Sequence, residues 1–131
     1  RRVVCLDGDG SLIMHMGSMP VAGGLGADNL VHVLLNNQAH ESVGGQPTVA
    51  GHMDFEAIAI ACGYKAFHLA WDRESLDQAW RALGKAQGPQ LLEIRIRPGA
   101  RQDLGRPSTT PQENKKAFEQ KARSSRHKTL N

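Results

Sequence analysis

The chain has 131 residues, of which 40% are hydrophobic and 22% are charged, a composition typical of one globular domain with a buried core. It contains no run of about 18 apolar residues, so the sequence predicts no membrane-spanning helix. The formal net charge of +3 arises in the tail, because residues 112–131 hold six basic and two acidic side chains and residues 1–111 sum to −1. Since this near-neutral body has no basic face interleaved with aromatic residues, we expect no nucleic-acid partner.

The first residue and the two cysteines indicate the extent of the protein and the compartment in which it works. Residue 1 is Arg rather than Met and no apolar signal core follows it, which predicts a portion of a longer protein that is not secreted. Cys5 and Cys62 lie in apolar stretches without the spacing of a metal site. We therefore expect both to be buried free thiols of a cytoplasmic protein.

Apolar runs and segments of helical periodicity alternate along residues 3–98. Four apolar runs predict strands, at residues 3–6, 30–35, 65–71 and 90–98. Three segments with helical spacing lie between them, at residues 11–19, 54–63 and 74–88. Because each connection is long enough for a crossover, the pattern predicts an α/β fold, a parallel sheet flanked by helices.

Residues at the ends of these segments predict where they begin and stop. Ser11 is placed to cap the first helix, and Pro20 with the glycines after it would end or kink that helix. Asp54 is the expected N-cap of the second helix and Gly63 its C-terminal residue. The first strand is predicted to be buried because its apolar run is continuous. The fourth strand alternates at its end and is expected nearer the edge of the sheet.

Less regular segments complete the chain. Residues 38–52 contain three glycines and a proline and are predicted to be a loop. Residues 99–111 are expected to be an extended connector, residues 112–122 a short helix, and residues 123–131 a disordered tail.

Polar residues follow the first two predicted strands where each strand ends. The segment Gly8-Asp9-Gly10-Ser11 comes after the first strand, and Asn36-Asn37 comes after the second. In an open α/β sheet, ligands bind at the carboxyl ends of strands, so Asp9 and Asn37 face one another if these strands are neighbours. A carboxylate, an amide oxygen and a loop carbonyl would give Mg²⁺ three ligands and leave positions for water and a diphosphate. The glycines admit a phosphate to the backbone, and the start of the following helix favours an anion.

Three stretches of the sequence carry a family resemblance. GDGSLIMHMGSM, LLNNQAHESVGGQPT and GRPSTTPQENKKAF together resemble the phosphonopyruvate decarboxylase family of thiamine-diphosphate-dependent enzymes, in its C-terminal diphosphate-binding domain. The resemblance runs from residue 3 to about residue 118. It implies decarboxylation of 3-phosphonopyruvate to phosphonoacetaldehyde and CO₂, with thiamine diphosphate and Mg²⁺ as cofactors. Residues 1–98 would form the cofactor-binding domain, and residues 99–131 a connector, a short helix and a basic tail.

The resemblance also assigns roles to residues. Asp9 would be the carboxylate ligand of Mg²⁺, Asn37 the amide ligand and Ala39 the backbone carbonyl ligand. The residues expected against the diphosphate are Gly8, Gly10 and Ser11. The loop after Asn37 would flank the reacting end of the cofactor, with His40 as the candidate catalytic residue. Its candidate substrate residues are Ser42, Gly44, Gly45 and Gln46.

Partners follow from the same resemblance. A pyrimidine-binding domain in the same or another chain would supply a glutamate, and the complete enzyme would be a homo-oligomer acting on a small 2-keto acid. The isolated 131-residue chain is expected to lack turnover without such a domain. Its basic tail departs from the family pattern. Three alternatives stay open: a sulfopyruvate decarboxylase-type subunit, another 2-keto acid decarboxylase of the family, and a non-catalytic cofactor-binding fragment.

The other histidines are expected to be structural or solvent-exposed. Two of them, His32 and His68, lie in predicted strands, and His15 lies on the first helix. His52 precedes the second helix, and His127 lies in the tail. The spacing of these histidines and the two cysteines does not suit a zinc site.

Overall fold

A four-stranded parallel sheet lies at the centre of the unit Arg1–Gly99. The computed structural model describes residues 1–83 and 87–124, in two units, Arg1–Gly99 and the residues that follow. The strands are, in chain order, β1 (Val3–Gly8), β2 (Leu30–Asn36), β3 (Ala39–His40), β4 (Gln46–Pro47), β5 (Ala66–Ala70) and β6 (Gln90–Arg95). The main sheet has the order β1-β2-β6-β5 with every pairing parallel, whereas β3 and β4 form a short antiparallel hairpin. The predicted parallel α/β fold is confirmed.

Helices cover both faces of this sheet. They are α1 (Asp9–Met14), α2 (Ser18–Gly24), α3 (Phe55–Ala61) and α4 (Arg73–Leu83), and α5 (Pro111–Ser124) belongs to the second unit. One face packs against α1, α2 and α3, with buried residues that include Leu12, Met19, Leu34, Phe55, Ala59 and Leu91. The other face packs against α4, with buried residues Val31, Val33, Ala70, Ala79, Leu83 and Leu92. Each fully buried leucine contributes about 1.5–3 kcal/mol, so this layered core holds the strand ends in place.

The predicted helix at residues 11–19 is wrong in its bounds and its cap. The segment forms two short helices, α1 and α2, and α1 already begins at Asp9. The N-cap position is Gly8 and no side chain caps this end, so Ser11 lies inside the first turn. Pro20 does not end a helix but is the third residue of α2, where a missing N–H costs nothing because first-turn N–H groups have no helical partner.

Two strands differ from their predicted positions in the sheet. β1 is an exposed edge strand within the described residues, and the Leu6 side chain is 67% exposed. Cys5 and Cys62 are free thiols as predicted, but neither is fully buried: Cys5 is exposed with its strand and Cys62 is half-buried. β6 is central, between β2 and β5, because its apolar first half is buried and only its last residues alternate.

The ends of α3 agree with the prediction. The Asp54 carboxylate accepts a hydrogen bond from the Ala57 N–H at 2.9 Å, as an N-cap does. Gly63 follows the helix with a φ of +89°, a left-handed conformation that glycine adopts without strain. The predicted helix at residues 74–88 is wrong at its C-terminal end: α4 is described as far as Leu83, residues 84–86 lie outside the described residues, and residues 87 and 88 are not helical.

The predicted loop at residues 38–52 has regular structure. The β3–β4 hairpin lies inside it, with a single 3₁₀ turn at Glu41–Val43 and another at Ala50–His52. Gly44 and Gly45 have φ values of +112° and +78°, which lets the chain reverse between the two strands.

The second unit contains the predicted short helix. α5 extends over Pro111–Ser124, and Thr110 and Glu113 form a capping box, with the Glu113 N–H 3.2 Å from the Thr110 hydroxyl and the Thr110 N–H 2.7 Å from the Glu113 carboxylate. The predicted disordered tail is wrong at its start, because α5 continues to Ser124, and the rest of that prediction falls on residues 125–131, which lie outside the described residues. Across the described ranges, no helix is long and apolar enough to cross a membrane.

Candidate functional site

A buried carboxylate lies directly after β1. Asp9 is the first residue of α1 and is 1% exposed. Its Oδ2 atom accepts a hydrogen bond from the hydroxyl of Thr48, just after β4. Among residues 1–83 and 87–124 no basic side chain forms an ion pair with it. Because burying an ionised carboxylate is costly without a countercharge, this position favours a bound cation.

The two asparagines after β2 form consecutive turns of the same kind. The Asn36 Oδ1 atom accepts the Gln38 N–H at 3.2 Å, and the Asn37 Oδ1 atom accepts the Ala39 N–H at 3.0 Å. Each oxygen accepts from the backbone two residues further on, which is an Asx turn. An amide oxygen has two lone pairs, so Asn37 Oδ1 keeps one for a further ligand.

A carboxylate faces the amide nitrogen of each asparagine. Asn36 Nδ2 donates to Glu93 at 2.8 Å, and Asn37 Nδ2 donates to Glu41 at 2.6 Å. The other carboxylate oxygen of Glu41 accepts the Gly99 N–H. Both amide groups are therefore held in one orientation, with nitrogen towards an acid and oxygen towards the backbone.

Thr48 connects the two halves of the site. β1 and β2 are neighbours, with Gly8 opposite Leu35, so the condition for bringing Asp9 and Asn37 to one edge is met. The Thr48 N–H donates to the Gln38 carbonyl at 3.0 Å while its hydroxyl donates to Asp9. The loop that carries Asn37 is thereby joined to the GDG segment through a single residue.

The oxygen donors at this edge suit a hard divalent cation. Among the described residues, no three His, Cys, Asp or Glu side chains cluster as a metal site, so a cation here would depend on amide and carbonyl oxygens beside Asp9. Ala39 lies opposite Pro47 in the hairpin, and proline has no N–H to donate to the Ala39 carbonyl. Asp9, Asn37 Oδ1 and the Ala39 carbonyl are thus chemically able to bind Mg²⁺.

The two glycines of the GDG segment have different surroundings. A Cβ atom on Gly10 would overlap the His40 imidazole, so the ring packs directly on this backbone. A Cβ atom on Gly8 would meet no atom within 4 Å, and this residue is exposed. The structure therefore brings His40 to the GDG segment and leaves the backbone of Gly8 open to a ligand.

The predicted substrate residues lie in and around the hairpin. Gly44 and Gly45 form its turn, and Gln46 lies opposite His40 in the β3–β4 pair. Ser42 lies in the 3₁₀ turn and is exposed, as is Ser11 on α1.

Three functional contacts were missed by the sequence analysis, namely those of Thr48, Glu41 and Glu93. The acid in the apolar run QLLEI, residues 90–94, was a signal for Glu93, because a buried strand rarely carries an unpaired charge. Thr48 and Glu41 gave no such signal, since polar residues in a glycine-rich loop are ordinarily solvated.

The predicted structural histidines lie away from these contacts. His32 is 6% exposed in β2, its Nδ1 atom is 3.0 Å from the Tyr64 hydroxyl, and its Nε2 atom is 3.6 Å from Asp7. Burial lowers the pKa of His32, partly offset by Asp7. Burial is also the main reason why the pKa of Tyr64 is raised to about 12. His68 is half-buried, with its Nε2 atom 3.3 Å from Gln90 Oε1. His127 lies outside the described residues.

This fold and site define a class of protein, an open parallel α/β domain that gathers oxygen donors at the carboxyl ends of two neighbouring strands. Residues 1–94 match the family model of the thiamine pyrophosphate enzymes, C-terminal TPP binding domain. The chain belongs to this family, and the resemblance inferred from the GDG and NN segments is confirmed.

Individual relatives agree with this assignment. A phosphonopyruvate decarboxylase of Streptomyces viridochromogenes is 42% identical over 118 residues, which cover 90% of this chain and 30% of that protein. A sulfopyruvate decarboxylase subunit beta of Methanothermobacter thermautotrophicus is 35% identical over 99 residues, covering 76% of this chain and 51% of the relative. The structure of an enzyme from Mycobacterium smegmatis, described as thiamin diphosphate-dependent, is similar with a TM-score of 0.60 and 25% identity over 76% of this chain and 18% of that one. The chain thus spans 30% of the length of the phosphonopyruvate decarboxylase.

Proposed function

We propose that this chain is the diphosphate- and Mg²⁺-binding part of a thiamine-diphosphate-dependent decarboxylase that converts 3-phosphonopyruvate to phosphonoacetaldehyde and CO₂. The observation that carries the proposal is the buried carboxylate of Asp9, which has no basic partner among the described residues and lies beside the Asn37 loop. The 42% identity to a phosphonopyruvate decarboxylase supports this choice of substrate.

Each proposed ligand has a defined task. Asp9, Asn37 Oδ1 and the Ala39 carbonyl would hold Mg²⁺, and the open backbone at Gly8 would lie against the diphosphate. Ser11 and Gly10 would border the same anion. When bound, thiamine diphosphate supplies an electron sink for the carbanion left as CO₂ departs.

The hairpin residues would act on the substrate side. His40 packs on Gly10, and an imidazole ring can donate or accept a proton, so His40 is the candidate to pair with an anionic substrate or to move a proton. Ser42, Gly44, Gly45 and Gln46 would shape the space that a small 2-keto acid occupies. A pyrimidine-binding domain, in the same or another chain, would complete the site within a homo-oligomer in the cytoplasm.

A second substrate is favoured by a specific similarity. The relative that is 35% identical carries the name sulfopyruvate decarboxylase subunit beta, so a separate partner subunit and a sulfonate substrate form the alternative. A non-catalytic cofactor-binding fragment is the remaining alternative. Release of CO₂ from 3-phosphonopyruvate and from sulfopyruvate, with a pyrimidine-binding domain added, distinguishes all three.

Cofactor binding tests the proposal directly. We expect isothermal titration calorimetry to detect thiamine diphosphate binding that requires Mg²⁺, and we expect Asp9→Asn to weaken it at least about tenfold. The matched control is Asp77→Asn, because Asp77 is an exposed acid on α4 whose ion pair with Arg73 contributes little. Binding by Asp9→Asn that equals that of the unaltered protein would overturn the proposed metal site.

A further inference from the structure

Glu93 is a buried acid in the middle of the main sheet. It lies in β6, between β2 and β5, and is 3% exposed. One of its oxygens, Oε1, accepts from Asn36 Nδ2 at 2.8 Å and from Arg95 Nε at 3.3 Å. The register sets Leu34 opposite Glu93 and Asn36 opposite Arg95, so all four side chains share one face of the sheet. None of these contacts involves a residue that we propose as a ligand of Mg²⁺.

The charge of Glu93 determines which way the Asn36 amide points. An ionised carboxylate can only accept hydrogen bonds, so it faces the NH₂ group of Asn36 and excludes the flipped amide. The Asn36 oxygen is thereby directed at the Gln38 N–H, 3.2 Å away. In a Glu93→Gln variant the uncharged side chain could either accept a hydrogen bond from Asn36 or donate one to it, so both orientations of the Asn36 amide would be tolerated.

Gln38 depends on this hydrogen bond. Its φ is +57°, a left-handed conformation that is unfavourable for a residue with a side chain. Two further hydrogen bonds hold the backbone around Gln38. The Gln38 carbonyl accepts from the Thr48 N–H, and the N–H of the next residue, Ala39, donates to Asn37 Oδ1. The left-handed turn at Gln38 therefore sets the directions of Asn37 and of the Ala39 carbonyl.

We propose that Glu93 is a positioning residue for the cation site. Through Asn36 it holds Gln38 in its left-handed conformation, and so it presents Asn37 Oδ1 and the Ala39 carbonyl to Mg²⁺ without contacting the cofactor. This inference rests on the proposed function, because it takes these two atoms as ligands. It adds a second asparagine–glutamate pair to the one formed by Asn37 and Glu41, and the two pairs orient adjacent residues.

The nearly isosteric variant Glu93→Gln tests the role of the charge. We expect it to remain folded and to weaken Mg²⁺-dependent binding of thiamine diphosphate about 10- to 100-fold, as loss of an outer partner does at other metal sites. The matched control is Glu56→Gln on the exposed surface of α3, which is expected to bind like the unaltered protein. Unchanged Mg²⁺ affinity in Glu93→Gln overturns the proposal.

A rescue variant separates positioning from general stability. Glycine adopts φ values near +57° freely, so Gln38→Gly in the Glu93→Gln background is expected to recover part of the lost Mg²⁺ affinity. A purely structural role for Glu93 would give no recovery, and that result overturns the proposal. If Glu93→Gln does not fold, Asn36→Ala is the substitute, since it removes the acceptor for Gln38 and must weaken Mg²⁺ binding by a similar factor.

A double-mutant cycle completes the test. If Glu93 acts through Asn36, the losses in Glu93→Gln and Asn36→Ala will not add in the double variant, whereas additive losses contradict the proposal. Failure of the proposed function gives a different pattern, in which the unaltered protein shows no Mg²⁺-dependent binding or Asp9→Asn binds as well as the unaltered protein. Normal Mg²⁺ binding that Asp9→Asn abolishes and Glu93→Gln leaves intact overturns the role of Glu93 alone.

Discussion

Thr48 donates its hydroxyl to the buried carboxylate of Asp9, although 39 residues separate them along the chain. This contact joins the β3–β4 hairpin to the end of β1, and the backbone N–H of Thr48 extends the link to Gln38. The hairpin is thus attached to the same carboxylate that we propose as a metal ligand. Loss of the contact should affect the stability of the protein as well as its affinity for Mg²⁺.

Thr48→Val keeps the shape of the side chain but removes the hydroxyl. We expect the free energy of unfolding to fall by about 1–3 kcal/mol, because Asp9 would lose a hydrogen bond in a buried position. Urea unfolding followed by circular dichroism measures this change. Thr48→Ser keeps the hydroxyl and serves as the control; if it destabilises the protein as much as Thr48→Val, the hydrogen bond is not the cause.

The GDG glycines provide a second prediction, since an added methyl group meets different surroundings at each. Gly10→Ala would drive the His40 ring from its position, and we expect a loss of about 1–3 kcal/mol in unfolding free energy. In Gly8→Ala the added methyl group would meet open space, so the free energy of unfolding should change by no more than about 0.5 kcal/mol. The same methyl group should weaken binding of thiamine diphosphate.

A compensating substitution checks the cause at Gly10. His40→Ala removes the ring that the new methyl group would strike, so the double variant should be more stable than the two single losses predict. Simple additivity of the two losses in urea unfolding would exclude the steric explanation.

His32 gives a prediction about pH. Burial lowers the pKa of His32 in the folded protein below its ordinary value of 6.5, so the unfolded chain takes up the proton first as the pH falls. This contribution to stability is present above pH 6.5 and is lost as the pH falls from there towards the lower pKa of the folded state. Asp7 and Tyr64 are the titratable side chains facing the ring, and Asp7 reduces the shift without cancelling it.

Unfolding free energies measured between pH 7.5 and pH 5 in urea test this prediction. His32→Gln should flatten the pH dependence in this window, because its side chain does not titrate. His68→Gln is the matched substitution at a half-buried histidine, and a flattening confined to His32→Gln assigns the pH dependence to His32. A slope that persists in His32→Gln would assign the pH dependence to another group.

The capping box of α5 supports a prediction about the second unit. Thr110→Ala removes the hydroxyl that accepts the Glu113 N–H, and loss of a threonine N-cap costs helices about 0.5–2 kcal/mol. We expect lower helicity over α5, measured by Cα chemical shifts. Glu113 should also titrate closer to its ordinary pKa, because hydrogen bonds from the N–H and hydroxyl of Thr110 lower the pKa of Glu113 in the intact box. Ser108→Ala is the control, and equal loss of helicity in both variants would contradict the capping role.

Much of the fold was predictable because its signals are local. The apolar runs at residues 30–35 and 65–71 predicted two parallel strands, and Asp54 predicted the start of α3 through a hydrogen bond that spans three residues. The split of the first helix was not predicted, because Pro20 is compatible with a first turn as well as with a helix end. The edge position of β1 was missed since an apolar run does not reveal how many neighbours a strand has.

The sequence alone determined that polar residues follow β1 and β2 at the strand ends, and it related their spacing to that of thiamine pyrophosphate enzymes. It could do so because strand ends, turns and motif spacing depend on residues that are close together in the chain. Only the tertiary structure decided how those residues are oriented. The partners of Asp9 and Asn36 lie 39 and 57 residues away, and the His40 ring reaches Gly10 through the hairpin. Contacts at such separations exist only once the sheet has formed, so no local pattern in the chain could specify them.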